Sequence, residues 1–364
     1  MKKRPVWRLF FVGVLLGLVL FGAGLWARRN IVPGLGAAGE AELVYLSPLN
    51  APELWRISVD GQHGHPLTQS GGRVFDYAIA PNGKELVYSA GNDLGGLDLW
   101  SIPSAGGAAR LLLDCGADRC AGAAYAPDGL KIAYSRRSRA ENPGGSAAGV
   151  GRLWILELSN GTTHGLYANA AIAGQDVTWS PDGSHLAFYD PLAGAIHVGT
   201  LSRGVDQVLA VTRAGSGAWT VDGTRFVFGD EGSGPDRLVG QLFEFSLGSG
   251  QVRPAYPNLE LREPGIPAFA PGGKYLAVAG QLEGEGASRS IWVLRMDGTD
   301  KLRVAENPQA SQGAYRWDFA GERLVYQELL LGSSERRPSI WIWMMASRVA
   351  QKVAGDAALP GWVR

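Results

Sequence analysis

Three observations predict an all-β fold for this chain, a seven-bladed β-propeller. First, a phrase recurs at a spacing of roughly 40–50 residues: a large residue, a small one, Pro, Asp or Asn, Gly, and then an apolar triplet. Its copies are Ile79-Ala80-Pro81-Asn82-Gly83, Tyr125-Ala126-Pro127-Asp128-Gly129, Trp179-Ser180-Pro181-Asp182-Gly183 and Trp219-Thr220-Val221-Asp222-Gly223, with weaker ones starting at Phe269 and Trp317. Second, another strand follows each triplet, from Glu53-Leu54-Trp55-Arg56-Ile57 to Ser339-Ile340-Trp341-Ile342-Trp343. Third, the last residues, Pro360-Gly361-Trp362-Val363-Arg364, read as the opening of one more phrase. Short strands repeated at that period form four-stranded blades around an axis.

At the N-terminus, Lys2, Lys3, Arg4 and Arg8 precede a run from Leu9 to Ala27 that carries no charge. At about 1.5 Å per helical residue this run spans roughly 28 Å, the hydrocarbon thickness of a bilayer. Trp7 and Trp26 flank it, and the basic excess before it predicts a cytoplasmic tip with everything after Asn30 outside. A cleaved signal peptide is the rival reading, but the run is long for one and Leu25-Trp26-Ala27 makes a poor cleavage site. The expected organisation is a tip and transmembrane signal anchor over 1–29, a flexible linker over 30–41 and the propeller over 42–364. This places the protein in the cell membrane, single-pass, with its propeller extracytoplasmic.

Within each blade the phrase has a local reason. Pro fixes φ near −65° and Gly accepts a positive φ, so Asp-Gly or Asn-Gly turns the chain between the first two strands. The aromatic before the turn and the Tyr or Phe after it pack between neighbouring blades; repetition in every blade marks them as core rather than as a stacking ladder for sugars or bases. The first triplet, Leu43-Val44-Tyr45, has no phrase before it. The truncated phrase at Trp362 supplies the missing inner strand, so that the two ends of the chain pair and close the ring.

The phrase and its spacing resemble the TolB-type β-propellers, WD40-like repeat proteins of the bacterial cell envelope, over roughly residues 42–364. The resemblance implies the fold and an envelope setting, and it leaves the role open because such repeats are mainly structural. The type member of that family is a six-bladed propeller behind an α/β domain, exported by a cleaved signal. This chain reads as seven blades with a retained anchor, so the partners of that arrangement are not carried over.

Thirty-four basic and 34 acidic residues cancel, but six of the basic ones flank the anchor, which leaves the remainder mildly acidic. A nucleic-acid partner would need a basic stripe, and none is expected. Cys115 and Cys120 are the two cysteines; outside the membrane they read as a disulfide closing one loop, too widely spaced for a Cys-x-x-Cys site. Gly34-Leu35-Gly36-Ala37-Ala38-Gly39 matches a dinucleotide fingerprint without its strand and helix, so no cofactor is expected. No Gly-x-Ser-x-Gly elbow occurs. Asp230, Glu231 and Asp236 gather carboxylates in an expected loop, a candidate site for calcium.

Strand alternation puts the short turns on one face and the long connections on the other, including 135–151, 229–240, 280–289 and 327–338. The binding residues expected there are Asp76, Tyr77, Asp176, Tyr315 and Arg316 at the channel mouth. Arg316 stands out against small counterparts such as Ala124, Ala218, Ala268 and Gly361. Arg136, Arg137 and Arg139 are expected to form a mobile basic arm beside it. The resulting expectation is a non-catalytic scaffold that binds a protein in the envelope or a ligand, within a larger membrane complex or alone. The alternative is an envelope hydrolase or lactonase with a metal or carboxylate site at the channel mouth.

Overall fold

The computed structural model describes residues 41–139, 150–167, 172–202, 204–233, 238–256, 261–281, 288–334 and 337–364. The expected membrane span and most of the linker lie outside these residues. The described residues form an all-β fold: one sheet of eight strands and five of four. The large sheet is two four-stranded units, Val74–Leu113 and Arg119–Gly165, joined by a single parallel contact between Leu97 and Arg119. Every other pairing is between antiparallel strands that follow one another in sequence, save one. The exception joins the ends of the chain, where Ala358–Val363 pairs with Glu42–Ser47 and sets Leu43 opposite Trp362 and Val44 opposite Gly361.

The repeated phrase makes the same turn each time. In the second to fourth copies the Asp side chain accepts the backbone N–H two residues on: Asp128 from Leu130, Asp182 from Ser184, and Asp222 from Thr224. Asn82 does the same for Lys84. The following glycines, Gly83, Gly129, Gly183 and Gly223, all sit near φ +70°, a conformation that a Cβ would strain. Bonds to Ser180 and Ser184 hold the Asp182 carboxyl down to about 2.

Hydrophobic clusters lie between successive units rather than within them. One joins Leu86, Tyr88 and Ile102 to Val44, Leu54 and Val363, and another joins Ile291 and Val293 to Trp317, Tyr326 and Trp343. Each unit therefore buries its face only by stacking on its neighbour, as repeat architectures require.

Three connections differ from the sequence reading. Arg225–Ser233 and Leu238–Ser246 form one long ladder, with Gly229 opposite Leu242 and Ser233 opposite Leu238, so Asp230 and Glu231 stand in a strand. Lys131–Arg137 stays paired through Arg136, shortening the expected loop at its start. Arg323–Leu330 likewise extends past Gln327. Gly- and charge-rich sequence looks like loop locally, but a partner strand that continues can hold it extended.

Candidate functional site

The inner strands end at or beside the large residue of the phrase, and four of the indoles there share one job. Trp179 Nε1 donates to the carbonyl of Ala124 at 3.2 Å, Trp219 to Thr178 at 3.3 Å, Trp317 to Ala268 at 3.0 Å and Trp362 to Arg316 at 3.0 Å. Each bond ties a unit to the one before it, through the residue just preceding that unit's own aromatic. The indole's contact at this position is to a backbone carbonyl, so it makes no demand on the side chain. Space is tight at one of them: a Cβ on Gly361 would lie 2.5 Å from Ile79.

Two residues earlier the inner strands bulge. Register shifts fall between Val74 and Asp76, Ala121 and Ala124, Gln175 and Thr178, Gly313 and Arg316, and, across the closing pair, Val44 and Leu46. Gly122, Asp176, Ala314 and Leu359 take up the bulge with φ between +46° and +66°. A bulge breaks the ladder and re-aims a side chain.

The two predicted carboxylates at these bulges have different fates. Asp76 accepts the Ser89 hydroxyl at 2.5 Å and the backbone N–H of Gly122 at 2.6 Å, so it joins two units. Burial raises its pKa while those bonds pull it down. Asp176 accepts no hydrogen bond and forms no ion pair among the described residues, and its side chain is exposed. Atoms crowded around the carboxyl still strip part of its hydration and raise its pKa.

Both predicted tyrosines are structural ties. The Tyr77 hydroxyl lies 2.9 Å from the carbonyl of Val44 and 2.5 Å from that of Leu359, and burial pushes its pKa up. Tyr315 donates to the carbonyl of Ile266 at 2.5 Å and accepts the N–H of Ala279 at 3.0 Å; burial pushes it up to about 12. Arg316 is different. Its guanidinium donates to the carbonyl of Tyr315 at 2.9 Å and makes no ion pair among the described residues.

Arg316 and Tyr77 line a cavity of about 550 Å³. Its walls are otherwise small or apolar, with Ala78, Ile79, Ala124, Val177, Ala314 and Leu359 among them, and Arg316 is the one charged residue in that lining. The cavity runs from the bulges towards the phrase turns at Pro81 and Phe319.

The remaining predicted residues are tied down or lie elsewhere. In the described part of the expected arm, Arg136 pairs with Asp118 at 2.8 Å and lies 5.3 Å over the Trp154 ring. Arg139 donates to the carbonyl of Leu94, and its N–H reaches Asp118. Arg137 ends its strand opposite Arg119, and residues 140–149 lie outside the described residues. Asp230 is buried and accepts the Thr212 N–H, the Thr212 hydroxyl and the Arg213 N–H; Glu231 faces Arg213 at 3.4 Å. Adjacent residues of a strand point to opposite faces, so these two do not converge on one ion. Asp236 lies outside the described residues. Cys115 and Cys120 form a disulfide, buried beside Leu99 and Tyr134.

Among the residues missed by sequence reasoning, His197 and Asp190 form a buried pair, 3.4 Å apart, with the His197 ring stacked on Phe188. Neither residue belongs to the repeated phrase, and no spacing rule flags a pair set across two strands.

No protein family's sequence profile matches the chain, and no curated protein matches it. Solved structures do. The TolB of Acinetobacter baumannii is 17% identical, covering 86% of this chain and 79% of its own, with a TM-score of 0.51. The β-propeller domain of the Trilobed protease from Pyrococcus furiosus, which has an open velcro topology, is 14% identical over 78% and 83%, with a TM-score of 0.56. A puromycin-hydrolyzing peptidase of Mycobacterium tuberculosis is 16% identical over 89% and 53%, with a TM-score of 0.59. The chain has a TolB-like β-propeller fold. At these identities the likeness concerns the fold alone.

Proposed function

We propose that this chain is a membrane-anchored, extracytoplasmic propeller of seven blades that binds a protein partner or a ligand without catalysing a reaction. In this reading the four-stranded units are the blades, Leu9 to Ala27 is the anchor, and the working face is the one from which the bulged inner strands start. One observation carries it. Along the inner strands Asp76, Tyr77, Gln312 and Tyr315 are used by the fold, whereas Asp176 and Arg316 are held open and used by none of the described residues beyond one backbone carbonyl. Groups kept available on a rigid scaffold at some cost are the mark of a binding site.

The test places a photo-cross-linker at Asp176 or Arg139, and in parallel at Asn82 or Ser184 in the turns of the opposite face, in cells carrying the full chain. Cross-links from the first pair and none from the second are expected. The reverse pattern would move the working face to the phrase turns.

A further inference from the structure

The position just before the phrase aromatic is occupied in turn by Ala78, Ala124, Thr178, Ala218, Ala268, Arg316 and Gly361. Six of the seven are small, and at Ala124, Ala268 and Arg316 the contact to the next indole uses the backbone carbonyl and not the side chain. Packing therefore does not account for an arginine there. A guanidinium carries a fork of N–H donors suited to planar oxyanions, and the described residues occupy one of them.

The surroundings narrow the ligand. Asp76 is committed to Ser89 and Gly122, and the hydroxyls of Tyr77 and Tyr315 are committed to backbone groups, so none of them competes for Arg316. Arg364 stacks on Phe319 at 4.3 Å, at the turn end of the cavity. Among the described residues a single cation lines the cavity, which matches a monoanion; a phosphate, with about −1.5 to −2 charges, would need more. The apolar walls call for an apolar body, and about 550 Å³ falls within the range of small-molecule pockets.

We propose that the cavity binds a small organic acid, one carboxylate on an apolar body, with Arg316 as its anion clamp. This rests on the reading of the propeller as a binding scaffold and specifies the chemistry of its site. The carboxylate takes the free donors of the guanidinium, and the hydrocarbon lies along Ile79, Val177 and Leu359.

Isothermal titration of the full chain in mild detergent tests this, with hexanoate and benzoate as probes and hexanamide, benzamide and inorganic phosphate as comparisons. One site per chain is expected for the acids, with the amides weaker by about tenfold or more, as a charge-assisted pair implies. Arg316→Gln should erase that preference without moving the melting temperature, and Arg316→Lys should restore part of it. No saturable binding of either acid, equal affinity for acid and amide, an unchanged Arg316→Gln variant, or tighter binding of phosphate would each overturn the inference. Cross-links from Asp176 reported alongside separate the two readings: their persistence without acid binding removes the ligand class and leaves the working face standing.

Discussion

Ring closure makes a quantitative demand on Trp362. Its ring is 3% exposed, sits opposite Leu43, carries the Arg323 guanidinium 4.9 Å from its centroid and donates to the carbonyl of Arg316. Truncating a buried Trp to Ala costs about 3–5 kcal/mol, a large part of the stability of an ordinary domain. Trp362→Phe keeps most of the apolar volume and removes the indole bond, so it should cost about 1–2 kcal/mol through the orphaned carbonyl. Trp317, with the same bond to Ala268 on a strand that is not terminal, is the internal control. Guanidinium titrations of the full chain should show Trp362→Ala and Trp317→Ala losing similar amounts, and hydrogen exchange should quicken at Leu43 to Tyr45 only in the former. A loss below about 1 kcal/mol for Trp362→Ala beside a full loss for Trp317→Ala would mean that the terminal strand frays and that the pairing with Glu42–Ser47 does not hold the ring.

Three further outcomes follow from particular groups. Asp176→Asn keeps a residue that tolerates positive φ and removes a carboxylate whose pKa is raised in the fold; the variant should melt higher than wild type at neutral pH. That advantage should shrink as pH falls through the carboxyl pKa, because the native state then takes up the proton; melts at pH 7 and 4 that show no such convergence would contradict it. Burial foremost, against the opposing pull of Asp190, lowers the pKa of His197, so the native state keeps it neutral. Stability should be complete above the unfolded value, about 6.5, and fall as pH drops below it, and His197→Phe should flatten that acid-side slope in urea midpoints. Removing the disulfide with Cys115→Ser and Cys120→Ser should cost about 2 kcal/mol on the chain-entropy estimate, and two alkylatable thiols in unreduced native protein would contradict the bond itself.

What the sequence made legible was whatever has a local cause. Pro, Asp and Gly each serve the same turn within a few residues, and the indoles recur because each ties its unit to the last; both leave a periodic trace. The orphan triplet at Leu43 revealed the closing strand because an unpaired inner edge is costly. The bulges left no such trace. Gly122 and Asp176 are types that accept positive φ, but Ala314 and Leu359 are not, and only tertiary pairing explains them. The arginines after Ser135 misled for a similar reason: Asp118 and Trp154, which hold Arg136, are distant in sequence, so a paired cation looked like a free one. The carboxylates at Asp230 and Glu231 looked convergent because a strand was read as a loop.

These cases suggest how a repeat protein with diverged sequence can be searched for its working residues. In each unit the fold fixes some positions by side chain, such as the phrase Asp and the indole, and others by backbone alone. Departures at the first kind weaken a blade and are selected against by stability, so a bulky or charged residue there needs a compensating contact. Departures at the second kind cost the scaffold little wherever the side chain has room, as it does not at Gly361, with Ile79 against it. Arg316 is a departure of the second kind, with its carbonyl doing what the alanines do for other blades while its side chain faces a cavity without a counter-ion among the described residues. Asp76 shows the contrast: its carboxylate also stands at a bulge of an inner strand, yet Ser89 and Gly122 absorb it into the framework. Asking which side chains the framework absorbs, and which it leaves over, separates the two without appeal to how charged or how exposed they are.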